Sequence, residues 1–386
     1  MTDLERLVAF GRTLVAPRHP DIIAFEREAD ARAAAVECLK SANLHAWVKP
    51  AGRPVNTFCK LNMRVDMLGI FPLHVGGPGK PRTNLELSNL TALYCHDVRA
   101  HSRVRQSMSL AAQFAKYLPK YAAAALSSYP KYCGGKSLMD EPEVTWEAEL
   151  YYQIDRFPRP CLFPAFAAAA FYNGFGAASI LDFCAGWGDR LLAACSCDRV
   201  YVGIDPSTQM QPVYDRIIKA HGTAEKQSVL CAPFETLQAA DLLAVLAKTF
   251  PPERGNEVRQ NDGGNEAKFD MCLTSPPFFD YEIYCDEDTQ SIKRFPRAED
   301  WIQNFLFKSL ATVHAAVKSK GLVVLHIADT KGCPFVHQTI DYCRGTLGWR
   351  LAGYYAMNKC HEDQGFTLDN RGTHIHGKPL WVFHTP

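Results

Sequence analysis

The 386-residue sequence has no Cys-x-x-Cys pair, although it holds 14 cysteines. The tightest spacing is Cys195-x-Cys197, so zinc-ribbon and thiol-redox readings lack their spacing signal. Scattered cysteines in a chain this long read as reduced, mostly buried thiols of an intracellular protein, cytoplasmic or nuclear. No long hydrophobic run is present either. The longest, residues 165–171, is far too short to span a bilayer, so no membrane partner is expected. The first residues, MTDLERLVAFGRTL, have an early acidic pair and no apolar stretch of signal-peptide length, so secretion is not expected. Gly-x-Gly-x-x-Gly, Gly-x-x-x-x-Gly-Lys-Ser/Thr and Gly-x-Ser-x-Gly are all missing. That disfavours dinucleotides, nucleoside triphosphates and the serine-hydrolase elbow. With 47% apolar and 22% charged residues, the chain is globular rather than disordered or fibrous.

Net charge is only +1, but it is unevenly spread. Residues 47–139 carry thirteen Lys/Arg against three acids, and the remainder is correspondingly acidic. No acid occurs over residues 98–139, where Phe114, Tyr117, Tyr121, Tyr129 and Tyr132 interleave with bases. A basic segment with aromatics is the footprint of a nucleic-acid surface, and Arg103, Arg105, Lys116 and Lys120 are its candidate contacts. The plainer reading is a solvated helical face with aromatics turned into a core.

Periodicity changes near residue 178. Earlier patterns are helical or irregular, over 4–15, 22–41, 107–126 and 164–172, with a Pro/Gly-rich passage at 71–82. Later, strands fit 179–183, 199–205, 227–232, 269–274, 321–329, 349–356 and 380–384. Helices fit 189–196, 208–220, 235–249, 299–319 and 334–346. Strands alternating with helices predict βαβ units and a mostly parallel sheet. The final two strands lack a helix between them and predict one antiparallel hairpin at the sheet edge. The expected class is α/β, a Rossmann-like seven-stranded sheet with an antiparallel C-terminal hairpin, after a mainly helical N-terminal region. The expected domains are residues 1–150, basic and substrate-recognising, and residues 151–386, catalytic. The polar stretch at 251–267 reads as a disordered insertion.

Residues 179–190, SILDFCAGWGDR, run from a buried strand through a glycine turn into a helix. Gly186 and Gly188 let backbone approach a ligand closely. The next strand ends in Ile204-Asp205-Pro206, and an acid there suits the hydroxyls of a ribose. These two runs, LDFCAGWGDR and YVGIDP, resemble the first two motifs of class I S-adenosylmethionine-dependent methyltransferases. The resemblance covers about residues 178–386. It implies that Asp182, Ala185, Gly186 and Gly188 line the methionine moiety of S-adenosylmethionine, the product being S-adenosylhomocysteine. It further implies Asp205 and Pro206 at the ribose, and Phe234, with Ala232 and Pro233, at the adenine. Cys184 falls among the cofactor-loop positions and reads as packing rather than as a nucleophile.

Thr274-Ser275-Pro276-Pro277-Phe278 follows the fourth strand. Two prolines stiffen the backbone and remove two donors, leaving the Ser275 hydroxyl and neighbouring carbonyls as acceptors beside an aromatic ring. That pattern suits a planar group with an exocyclic amine, held at its N–H protons and stacked on Phe278. Phe279, Asp280 and Tyr281 continue the aromatic and acidic character as substrate contacts. The motif resembles the Asp/Asn/Ser-Pro-Pro-Tyr/Phe signature of amino-methyltransferases, with Ser275, Pro276, Pro277 and Phe278 at the catalytic positions. Within that family the Ser form tilts toward N4 of cytosine over N6 of adenine. The expected activity is methyl transfer to a nucleobase amine in DNA or RNA, yielding N4-methylcytosine or N6-methyladenine. The alternatives are a protein amide or small-molecule amine as acceptor, or a cofactor-free pseudo-enzyme that binds nucleic acid. Cys360, His361, His374 and His376 lie near one another in sequence, but no metal is expected there.

Overall fold

The computed structural model describes residues 1–42, 63–64, 88–155, 157–249, 268–330, 333–358, 365–367, 374–376 and 378–386. The 251–267 stretch, the 71–82 passage, Cys360 and His361 lie outside the described residues. The chain forms two compact units. One comprises Met1–Cys38, Gly69–Leu162 and Tyr281–Asp286; the other comprises Leu39–Leu68, Phe163–Asp280 and Glu287–Pro386.

The first unit is built from Asp3–Gly11, Pro20–Arg27, Ser88–His101, Leu110–Tyr132 and Glu143–Ile154, with most of Ala29–Ser41. The Thr2 hydroxyl accepts from the Glu5 N–H at 3.2 Å while the Glu5 carboxylate accepts from the Thr2 N–H at 2.6 Å. Such reciprocal caps contribute about 1 kcal/mol. The single helix expected over 22–41 breaks at Glu28, where the backbone is extended (φ −111°, ψ 101°). Ser109 caps the longest helix, which continues through Pro119 and Pro130. Its positions 114, 118, 121, 122, 125 and 129 fall on one face and pack against Leu7, Trp146 and Leu150. Phe114, Tyr121 and Tyr129 are therefore core residues, while Lys116, Lys120 and Lys131 remain exposed. The interleaving seen in the sequence separates here into an apolar inner face and a basic outer one. Arg18 clamps this unit from within: its Nε and Nη2 donate to the buried Glu147 at 2.8 and 3.0 Å.

The second unit holds the sheet. Its strands are β1 (Ser179–Asp182), β2 (Val200–Asp205), β3 (Gln227–Cys231), β4 (Phe269–Thr274), β5 (Val317–His326), β6 (Arg350–Asn358) and β7 (Lys378–His384). Their order is β6-β7-β5-β4-β1-β2-β3, with the two residues Met63–Arg64 added beside β6. β1 to β5 are mutually parallel. β7 is antiparallel to both β5 and β6, so the expected hairpin forms, but its second strand slots inside the sheet rather than at the edge. The architecture is a Rossmann-like, mostly parallel seven-stranded α/β sheet.

Helices Asp189–Ser196, Gln211–His221, Ala239–Thr249 and Val336–Asp341 connect the strands. A continuous helical run over 298–316 precedes β5 and includes a π-helical segment, Ile302–Phe307. It ends three residues short of expectation because β5 starts at Val317. Leu181, Val202, Ile204, Cys272, Val323 and Leu325 meet Trp301, Phe305, Leu310 and Val336 in one core. Each large apolar side chain fully buried there contributes roughly 1.5–3 kcal/mol. That anchorage fixes the carboxyl ends of β1, β2, β4 and β5, where the loops of interest emerge. No helix among the described residues is long and apolar enough to cross a membrane.

Candidate active site at the carboxyl ends of the central strands

The loop after β1 is held from below by a buried charge pair. Asp182 is fully buried and accepts from Arg190 Nε at 2.7 Å, from the Tyr201 hydroxyl at 2.7 Å and from the Cys184 N–H at 3.3 Å. Arg190 also donates from Nη2 to the Cys184 carbonyl, and its guanidinium lies 5.0 Å from the Phe163 ring centroid. Burial alone would lower the Arg190 pKa, but the adjacent Asp182 outweighs it, so the guanidinium stays charged. Asp182 and Arg190 thus tie β1, β2 and the helix after the loop into one frame. Burial pushes the Cys184 thiol well above its ordinary value, which leaves it a packing group rather than a thiolate.

Above that frame the loop opens on glycine. Gly186 and Gly188 take left-handed backbone (φ +59° and +90°). A Cβ at Gly188 would sit 2.6 Å from Ile217 Cδ1. The Ala185 N–H bonds the Ile204 carbonyl at 2.9 Å, so the loop is laced to the end of β2. There stands Asp205, partly exposed, accepting from the Gly186 N–H at 2.9 Å and the Ser207 N–H at 3.0 Å, one on each oxygen. Each oxygen keeps a further lone pair, which is the acceptor set a vicinal diol needs. Burial pushes Asp205 up to about 6, against the two N–H bonds that hold it down, with Asp182 adding repulsion. Tyr214 closes the far side, donating from its hydroxyl to the Gly186 carbonyl at 2.6 Å. Phe234, after β3, is buried and stacked on Phe183 (centroids 5.1 Å, planes 30° apart).

A strap of chain after the Ser-Pro-Pro motif runs along this edge. Glu287 accepts from the Thr208 N–H at 3.1 Å and the Thr208 hydroxyl at 2.8 Å. The Thr289 hydroxyl donates to the Pro206 carbonyl at 3.2 Å, and Arg294 Nε pairs with the buried Glu235 at 2.7 Å. Pro206 and the turn holding Phe234 are thereby fixed from outside the sheet.

The second cluster follows β4. Leu181 of β1 pairs with Cys272 of β4, so the loops beginning at 183 and 275 leave adjacent parallel strands at the same end. Ser275, Pro277 and Phe278 are partly exposed and Pro276 is buried. Ser275 Oγ lies 2.9 Å from His326 Nδ1, at the end of β5. Phe278 meets the same imidazole edge-to-face with centroids 5.5 Å apart. Phe279 sits at φ +55°, an uncommon and strained conformation for an aromatic residue, and packs on Trp301. The strain turns the chain sharply after the motif. Asp280 is exposed.

No family model matches the sequence, and no curated protein matches it. Among solved structures the chain is similar to precorrin-6y C5,15-methyltransferase from Geobacter metallireducens, at 11% identity over 54% of this chain and 80% of that one, TM-score 0.30. It is similar to TrmN from Thermus thermophilus, at 13% identity over 57% of this chain and 49% of that one, TM-score 0.33. It is also similar to magnesium protoporphyrin IX methyltransferase from Synechocystis with bound SAM, at 11% identity over 57% and 76%, TM-score 0.31. The chain thus spans about half the length of TrmN.

The remaining expected contacts belong to the other unit, which the chain enters at Tyr281. Within it, Arg103–Val104 pairs antiparallel with Glu282–Ile283, and the Arg105 N–H donates to the Tyr281 carbonyl at 2.9 Å. The Arg105 guanidinium lies 5.3 Å from the exposed Tyr281 ring. Lys116 and Lys120 are exposed on the long helix. Lys49, Arg53, Lys60, Lys80 and Arg82 lie outside the described residues.

Sequence reasoning gave no role to Arg190, Tyr214, Glu287 or His326. Arg190 was inside the quoted loop run, but nothing in spacing alone says that it folds back eight residues onto Asp182. His326 had one usable signal, a polar residue following the apolar run Leu322–Leu325.

Proposed function

We propose that this protein is an S-adenosylmethionine-dependent methyltransferase acting on the exocyclic amine of a nucleobase in RNA or DNA, N4 of cytosine or N6 of adenine. The observation that carries the reading is the pairing of two loops at one end of adjacent strands: a glycine loop latched to Asp205, and Ser275-Pro276-Pro277-Phe278. The residues fit such a cofactor. Gly186 and Gly188 allow the left-handed turn that brings the loop to β2, Asp205 has lone pairs for both ribose hydroxyls, and Ala185, Pro206 and Phe234 line the same edge. When bound, the cofactor supplies an electrophilic methyl group on sulfur. Asp182 acts through Arg190 and the loop rather than by contact, since its carboxylate is already bonded from three sides.

Ser275 Oγ and nearby carbonyls accept the N–H protons of the amine, and Phe278 stacks on the ring. Holding those protons turns the nitrogen lone pair out of the ring system, and positioning supplies the rest of the acceleration. Pro276 and Pro277 keep the acceptors rigid. Phe279, Asp280 and Tyr281 border the base. The polymer backbone is assigned to the basic unit through Arg103, Arg105, Lys116 and Lys120. A duplex target would have to be flipped out; a single-stranded one would not.

The test is transfer of labelled methyl from S-adenosylmethionine into total RNA and genomic DNA, read by nucleoside mass spectrometry. Label in N4-methylcytosine or N6-methyladenine, lost in Ser275→Ala, supports the reading. Cofactor binding without label in either polymer moves the acceptor to a protein amide or small-molecule amine. No cofactor binding overturns the enzyme reading.

A further inference from the structure

Ser275 has a partner that its own motif does not supply. His326 closes β5, is 6% exposed, and keeps its strand pairing to Leu380 of β7. Thr274 of β4 pairs with Leu325 of β5, so Ser275 and His326 are each the next residue on neighbouring parallel strands. That register brings Ser275 Oγ within 2.9 Å of His326 Nδ1. Two aromatic rings, Phe163 and Phe278, hold the imidazole edge-to-face at 5.5 Å each. The second of these is the ring assigned to stack on the base. The imidazole is thus fixed by packing, by backbone pairing and by the hydroxyl it faces.

A hydroxyl has one proton and two acceptor lone pairs. With the His326 proton on Nε2, Nδ1 accepts the Ser275 proton, and the Ser275 lone pairs stay free to meet amine N–H groups. When the exocyclic nitrogen gains a methyl it becomes cationic and must shed a proton. Serine alone is a poor terminus for that proton, because the acceptor in general-base chemistry works best with a pKa near the operating pH. Histidine has one.

We propose that His326 is the proton acceptor of this site, a positioning residue acting through Ser275 Oγ on the exocyclic amine of a nucleobase. The inference rests on the methyl-transfer reading above. The N–CH₃ bond forms on the amine lone pair as the S–CH₃ bond breaks, its electrons remaining on sulfur. The amine N–H then breaks as a new O–H forms at Ser275, while the old Ser275 O–H breaks as N–H forms at His326 Nδ1. Ser275 ends unchanged, and once the product leaves, the imidazolium returns its extra proton through the partly exposed Ser275 Oγ to solvent. No bond from Ser275 to substrate carbon forms at any point.

The test uses the full chain with His326→Asn, His326→Ala and Ser275→Ala. An asparagine amide keeps an acceptor for Ser275 but does not take up a proton. The expected result is a fall in kcat for labelled methyl incorporation of roughly 100-fold or more in both His326 variants. KM for S-adenosylmethionine and calorimetric affinity for S-adenosylhomocysteine should stay within about twofold, a split that a packing defect would not give. Independently of turnover, ¹⁵N spectra of histidine-labelled protein should show His326, assigned by its loss in His326→Asn, protonated at Nε2. Its Nδ1 resonance should shift in Ser275→Ala. Wild-type kcat in His326→Asn, or an Nδ1–H tautomer, overturns the relay while leaving amine methylation standing. Covalent labelling of Ser275 by a fluorophosphonate probe would make Ser275 a nucleophile and also overturn it. Wild-type protein that binds cofactor but methylates neither polymer fails the underlying reading, and the relay with it.

Discussion

Asp205 gives the sharpest quantitative test, because its ionisation state and its proposed duty conflict. Burial raises its pKa to about 6, whereas ribose hydroxyls need the carboxylate as acceptor. Protonation blocks one acceptor oxygen with an O–H of its own. Cofactor affinity should therefore be full above pH 7 and weaken as pH falls through 6. With one titrating group, the apparent Kd rises about tenfold one pH unit below the pKa and by only about a tenth one unit above it. Hydrogen bonds to charged groups contribute about 1.5–3 kcal/mol each, so loss of the one bond sets a ceiling of order 100-fold. Binding at pH 6 should release about half a proton, since the free site is half protonated there and the bound site is not. Calorimetry with S-adenosylhomocysteine over about pH 5–8, in buffers of different ionisation enthalpy, measures both quantities. Asp205→Asn should bind roughly 100-fold more weakly at pH 8 and show no inflection near 6. A flat affinity profile in the wild type, or an Asp205→Asn variant that binds as tightly as the parent, refutes the reasoning. The stability sign is opposite. A carboxyl raised in the folded state costs stability when ionised, so the cofactor-free protein should gain stability as pH falls from 7 toward 5.

Gly188→Ala combines left-handed backbone with a Cβ 2.6 Å from Ile217, so it should cost about 3 kcal/mol and lower the melting temperature by roughly 6–12 °C. Arg190→Met strands the buried Asp182 charge and should destabilise by roughly 3–5 kcal/mol, with Asp182→Asn recovering part of that loss in the double variant; chemical denaturation measures both. Replacing Arg103, Arg105, Lys116 and Lys120 together by Glu should weaken RNA and DNA binding and flatten its salt dependence by about one log–log slope unit per lost phosphate contact, with S-adenosylhomocysteine affinity unchanged; fluorescence anisotropy at several salt concentrations reads this.

The sheet was legible because its strands are short apolar runs whose ends carry glycine, proline or acid. Residues 189–196 and 269–274 match expectation without adjustment. The glycine loop and Asp205 were legible for a local reason: both depend on spacing within one βαβ unit. The helices Ser88–His101 and Glu143–Ile154 were not anticipated, since neither has a strong amphipathic stripe and Glu143–Ile154 has no side-chain cap. The aromatics between Phe114 and Tyr132 looked like a stacking platform, yet Phe114, Tyr121 and Tyr129 fall on the buried stripe of one helix, a matter of phase rather than composition. Ser275–His326 and Asp182–Arg190 were beyond the sequence for different reasons. The first pair spans 51 residues and exists only through strand register; the second requires knowing that an arginine is turned inward. Tyr281 was read as a continuation of the transfer motif, but the residues directly after it, Glu282–Ile283, pair with Arg103–Val104, a long-range choice no local pattern encodes.

The insertion of β7 between β5 and β6 also governs how the molecule is made. During synthesis, the residues of β5 and of the other parallel strands are translated before those of β7. Until residues 378–384 leave the ribosome, β5 presents an open, apolar edge of the kind that recruits foreign strands. β6, though made earlier, has only Met63–Arg64 to pair with until β7 arrives. A chain that lacks β7 therefore exposes that edge of β5. A released chain truncated before residue 378 should depend on chaperones, whereas one that includes residues 378–384 should not.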